Sequence, residues 1–86
     1  MDRHAKLLRR LLEGRSDANV HFEELRDLLL DLGFEERTRG SHHIFRRPDV
    51  EERINLQRDG SKAKPYQVRQ IRALITRYQL GELPDA

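Results

Sequence analysis

Apolar residues recur at helical spacing in the first part of the chain and at strand spacing further on. Leu7, Leu8, Leu11 and Leu12 stand at i, i+1, i+4 and i+5, the stripe of an amphipathic helix, and Gly14 closes it. The polar run from Arg15 to Asn19 reads as a loop. Leu25, Leu28, Leu29 and Leu32 then repeat at helical spacing, with Gly33 where a left-handed residue ends a helix. His21 falls at the N-cap, three residues before Glu24, although histidine is not a favoured cap. The consecutive leucines 28 to 30 widen the apolar face and predict a central core helix.

From Phe34 the pattern breaks into short runs separated by turn residues. Phe34–Thr38, His42–Arg47 and Arg53–Gln57 read as three strands, with turns at Gly40 and at Pro48-Asp49, and Asp59-Gly60 is expected to end the third. In that strand Ile54 and Leu56 point inward, while Arg53, Asn55 and Gln57 point out. Pro65, at a plausible first helical position, opens a last helix in which Val68, Ile71, Leu74, Ile75 and Tyr78 share the face that packs on the sheet. Arg69, Arg72 and Arg77 fall largely on its other faces.

The order predicts one α+β domain over residues 1–86, an α-β-β-β-α core with a three-stranded antiparallel sheet. Residues 1–14 form an additional N-terminal helix, 20–80 the core, and 81–86 a tail expected to fray. Without the first helix this is the topology of a double-stranded-RNA-binding-like domain.

A chain of 86 residues has room for a modest core, so any site should be a surface or a shallow groove. Hydrophobic residues at 36% and charged residues at 37% still favour folding over disorder. The absence of Cys rules out a disulfide framework and a thiolate site, and suits a reducing cytosol. Neither a signal-peptide core nor an apolar run long enough to span a bilayer is present, so the sequence predicts a cytoplasmic protein without a membrane partner.

The net charge of +2 conceals an uneven distribution. Residues 1–36 carry 6 Lys/Arg against 9 Asp/Glu, residues 37–77 carry 11 against 4, and the last nine add two acids. The resulting +7 in the middle segment favours a polyanionic partner such as nucleic acid, against the plainer reading of a solvated charged surface.

Within that segment His42 and His43 are adjacent on a strand and cannot face the same way. One parity holds His42, Ile44 and Arg46, the other His43, Phe45 and Arg47. Each contains one apolar residue, so alternation alone leaves the choice open. The larger ring of Phe45 is the better core candidate and directs His42 and Arg46 to the open side. Neighbouring histidines on opposite faces do not converge on one ion, and His4 and His21 lie in other elements, so no metal site is expected. Either an exposed polar residue or a reactive imidazole is compatible with this placement. Histidine ordinarily titrates near pH 6.5, so it could take a proton from a ribose 2′-OH or give one to a leaving 5′ oxygen, with nearby arginines holding the phosphate.

The run ELRDLLLDLGFEERTRGSHHIFRRP resembles the HicA family of bacterial toxins, with a helix ending in Leu-Gly-Phe followed by Gly-Ser-His before a strand. INLQRDGSKAKPYQVRQI is similar to that family's last strand and helix start, and the resemblance covers about residues 22 to 80. It implies a ribonuclease that cleaves mRNA without a cofactor, and a HicB-like antitoxin that covers its active site. The family's catalytic histidine falls on His42, with His43 as second choice, and Ser41, Arg39, Arg46, Lys62 and Lys64 are the candidate RNA-binding residues. The further histidine that many members carry after the third strand is replaced here by Asn-Leu-Gln-Arg-Asp-Gly-Ser. Two other functions fit the same features: a non-catalytic RNA-binding module, and a protein-binding subunit that docks through an exposed first helix.

Overall fold

The computed structural model describes residues 4–15 and 17–80, so the expected fraying of 81–86 lies outside the described residues. Helix Ala5–Glu13 (α1) is followed by a 3-10 turn at Asp17–Asn19 and by helix Phe22–Asp31 (α2). Three strands come next, Glu35–Arg39 (β1), His42–Arg47 (β2) and Val50–Leu56 (β3). Two short strands, Arg58–Asp59 (β4) and Lys62–Ala63 (β5), precede helix Pro65–Tyr78 (α3). The fold is α+β, an α-β-β-β-α arrangement with an N-terminal helix, and the antiparallel sheet runs β1-β2-β3.

Gly33 ends α2 as its position predicts. Its φ of +96° turns the chain so that its own N–H reaches the carbonyl of Leu30 and the N–H of Phe34 reaches that of Leu29. These are the paired bonds of a Schellman motif, which satisfy carbonyls that a helix end otherwise leaves open. His21 occupies the N-cap of α2 but makes no side-chain cap bond. The start of α2 is instead held by backbone: Phe22 N–H donates to Ser61 O at 3.0 Å, and Ala63 N–H to Val20 O at 2.9 Å.

Those two bonds account for the main departure from the expected strand pattern. Asp59-Gly60 does not end the third strand, which stops at Leu56. Asp59 instead ends β4, and Gly60-Ser61 forms the turn of a separate two-stranded ribbon, β4–β5, whose second strand lies along the entrance to α2. Strands of two residues are too short for alternation to reveal them in the sequence.

The helices pack together over one side of the sheet, α1 against α2 and α3. Phe45, Ile54 and Leu56 supply the sheet's apolar side; Phe22, Leu25, Leu28 and Leu29 come from α2; Val68, Ile71, Leu74 and Ile75 come from α3. Two leucines assigned to helix faces by spacing are left in solvent, Leu12 at 40% exposure and Leu30 at 37%. Each stands beside a buried leucine, Leu11 and Leu29, and a step of 100° around the helix carries it off the buried stripe.

The first helix is not an exposed docking surface. Leu7, Leu8 and Leu11 are buried in the common core, and α1 packs against both α2 and α3. Arg72 on α3 fastens its end, with Nε donating to Leu11 O at 2.7 Å and the guanidinium paired to Asp17. Leu11→Ala should therefore destabilise the protein by about 2–5 kcal/mol, whereas Leu12→Ala should cost about 0.5 kcal/mol or less. Urea unfolding of the two variants measures both, and equal costs would show that α1 is not part of the core.

Candidate active site on the open sheet face

The hairpin that carries both histidines turns on Gly40-Ser41, a two-residue loop between the paired residues Arg39 and His42. Gly40 has φ +56°, the left-handed value that the first position of such a loop requires and that glycine adopts without a steric penalty. The turn fixes His42 as the first residue of β2, directly across from Arg39. Ser41 is exposed within the turn itself.

Phe45 is fully buried, so the parity of β2 places His42 on the open face and His43 toward the helices. The His42 imidazole lies between two side chains of the β3 side: Nδ1 is 3.2 Å from Asn55 Oδ1, and Nε2 is 3.4 Å from Gln57 Nε2. These contacts are consistent with one tautomer, in which Nδ1–H donates to the Asn55 carbonyl and the bare Nε2 accepts from the Gln57 amide. Lys64 Nζ in turn donates to Gln57 Oε1 at 3.3 Å. Gln67, buried in the first turn of α3, accepts the Gln57 backbone N–H at 3.1 Å. The residues Lys64-Pro65-Tyr66-Gln67 thus start the helix at Pro65 and hold Gln57 from both sides of the motif.

His43 has a different environment. Its Nδ1 is 2.8 Å from Glu36 Oε2, and its ring meets that of Phe22 edge-on with centroids 4.8 Å apart. Glu36 also accepts two bonds from Arg26 on α2, from Nε at 2.9 and 2.8 Å to its two oxygens. The Arg26 hydrogen bonds hold the Glu36 carboxyl below its usual range, assisted by His43 and opposed by desolvation. His43 is therefore a member of a network tying β1 and β2 to α2.

Of the remaining residues singled out in the sequence, Arg39 flanks His42 in register and Lys64 reaches it through Gln57. Arg46 shares the open face but stands four residues along β2, about 13 Å away at strand rise. Lys62 sits on the β4–β5 ribbon, where Nζ donates to Asn19 Oδ1 at 3.0 Å. Asn55 and Gln57 were visible in the sequence only as outward-facing positions. Their place beside His42 depends on the strand register, which no local pattern encodes. Among the described residues, no group of three or more His, Cys, Asp and Glu side chains is arranged to hold a metal ion.

The small α+β domain thus buries one side of its sheet under helices and presents a tethered imidazole beside Arg39 on the other. The model of the family described as the HicA toxin of bacterial toxin-antitoxin systems matches residues 22–78, about two thirds of the chain, and the chain belongs to that family. It is thus a toxin of a toxin–antitoxin system, with an antitoxin as partner. No curated protein and no solved structure matches it. No helix among the described residues is long and apolar enough to cross a membrane.

The depressed carboxyl of Glu36 has a pH signature. A group whose folded value lies below its unfolded one stabilises the fold above the ordinary carboxylate range, and that contribution disappears as pH falls through the folded value. Glu36→Gln should therefore be less stable than wild type at neutral pH, and the difference should shrink below about pH 4. Denaturation midpoints across pH measure it; a gap that stays constant into strong acid would mean that the charge of Glu36 contributes nothing.

Proposed function

We propose that this toxin is a metal-independent endoribonuclease that cleaves mRNA with His42 as its general acid–base, and that a HicB-like antitoxin silences it by covering the open sheet face. The observation that carries this reading is the tether on His42, an exposed imidazole whose Nδ1 is held by Asn55 and whose Nε2 meets only the Gln57 amide, at 3.4 Å, a long contact that a substrate hydroxyl can replace, with Arg39 across the strand pair and Lys64 joined through Gln57. Orientation of that kind is what a proton-transfer group needs and a merely solvated histidine lacks.

In the reaction, His42 Nε2 takes the proton of a ribose 2′-OH. The freed oxygen bonds to the adjacent phosphorus while the bond from phosphorus to the 5′ oxygen breaks. The products are a 2′,3′-cyclic phosphate and a 5′ oxygen that recovers a proton from the imidazolium or from water. Lys64 and Arg39 are placed to balance charge that develops on the phosphoryl oxygens. Asn55 orients the ring but, being neutral, does not stabilise the imidazolium as a carboxylate would.

RNA but not DNA of the same sequence should be cut, because only RNA carries the attacking hydroxyl. The step needs no metal, so cleavage should continue in excess EDTA. His42→Ala should lose about 10²-fold or more in rate while still binding RNA. His43→Gln should mainly lower stability, since its ring packs on Phe22 rather than facing solvent. Full cleavage by His42→Ala would defeat the assignment and leave an RNA-binding module.

The antitoxin complex should be inactive and the toxin freed from it active. A complex that degrades RNA as fast as the free protein would rule out occlusion.

A further inference from the structure

The open face of the sheet has nine central positions in three rows. Strand pairing places Arg39 and His42 in the first, with Gln57 against the His42 ring, and Arg37, Ile44 and Asn55 in the second; Glu35 and Arg46 pair in the third, where Arg53 lines the same groove beside a bulge in the β2–β3 register. Ile44 is the apolar member of the set, and four arginines surround it. They line a groove of about 870 Å3 that runs from Arg39 toward the Pro48 turn.

These arginines differ from six others that are engaged in holding the fold together. Arg15, Arg26, Arg47, Arg58, Arg72 and Arg77 are each paired with a carboxylate. Arg37, Arg39, Arg46 and Arg53 pair with no carboxylate among the described residues, although acids stand nearby. Of the acids lining the groove, Glu36 and Glu52 are already engaged by Arg26 and Arg77, which leaves Glu35 and Glu51 against four arginines. An unneutralised arginine cluster is the surface that a phosphate chain fits.

We propose that the RNA substrate crosses this face as a single strand, its phosphates held by Arg37, Arg46 and Arg53 beyond the scissile position at His42, with little reading of base sequence there. Only the location of the scissile bond rests on the catalytic reading of His42. Size favours a single strand: three strands span about 10 Å and the rows about 14 Å, whereas duplex recognition by domains of this topology extends over about 16 base pairs. Chemistry favours contact with the backbone over the bases. Apart from the His42 imidazole at the scissile position, the nine positions hold no aromatic ring on which a base could stack, and the cations that dominate them attract phosphate irrespective of sequence.

The test uses the full chain with His42→Ala, so that RNA is bound without being cut and the result does not depend on catalysis. Binding of a labelled RNA of about eight nucleotides is followed by fluorescence anisotropy over a range of salt, with and without Arg37→Ala/Arg53→Ala. The double variant should bind more weakly and reduce the slope of log K against log salt by about 1.4, or about 0.7 for each single-strand contact. Arg37→Lys/Arg53→Lys should restore most of the slope, which separates lost charge from lost structure. RNA of scrambled sequence and single-stranded DNA should bind within about threefold of the original, since all present the same phosphates. The proposal is overturned if the slope is unchanged, if an RNA duplex binds more tightly than the strand, or if only antitoxin binding weakens. The last result would make the arginine face a protein interface instead.

Discussion

The burial of Phe45 is the constraint on which the site depends. A strand has only two ways to face, and β2 carries an apolar residue on each side. Phe45 goes inward with Ile54 and Leu56 of β3, into contact with the core residues of α2 and α3. Reversing the strand would expose a ring whose burial stabilises by roughly 1.5–3 kcal/mol. It would also exchange His43 and Arg47, which are paired with Glu36 and Asp49, for His42 and Arg46, which pair with no carboxylate. The two terms act in the same direction, so the placement of His42 in solvent follows from the packing of a residue three positions away.

The same choice separates the roles of two histidines that are chemically identical in the sequence. His43, turned inward, meets the edge of Phe22 and the carboxylate of Glu36, itself held by Arg26. His42, turned outward, is held at both ring nitrogens by amides, Asn55 at 3.2 Å and Gln57 at 3.4 Å, on an exposed face. Periodicity left open which histidine faces out, and the volume of Phe45 against Ile44, a local property, pointed to His42. Glu36 as the partner of His43 was not legible: it lies on another strand, in a run of charged residues with no sign of which one turns inward. Helix existence and helix ends were legible from leucine spacing, Gly14, Gly33 and Pro65. The exposure of Leu12 and Leu30 was not, since adjacent leucines on a helix point in different directions and only the packing partners decide which is covered.

Charge shows a similar limit. A segment with an excess of arginine announces a polyanion partner in composition, yet several of its arginines are consumed in holding the fold together. Arg72 closes α1 onto α3, Arg47 secures the Pro48 turn, and Arg77 joins α3 to β3. Arg72 also explains why α1 is part of this protein's core although the family match begins at Phe22. The extra helix and the family-matched core are joined by a hydrogen bond from one to the backbone of the other, together with three buried leucines.

The proposed site occupies the side of the sheet that the helices leave uncovered. Helices cover the other side, and the loop residues that flank the site are tied into the framework, as Gln67 ties Gln57 and Gln57 ties Lys64. Removing an open-face arginine uncovers no part of the apolar core, so substitutions there can alter binding without altering the fold. A surface carried on paired strands also moves little when it is covered, and preformed surfaces bind with small rearrangement. A partner that lies over His42 and the arginine rows therefore need not unfold the toxin to silence it. It has only to occupy the one face on which the imidazole and the unneutralised charges are displayed together.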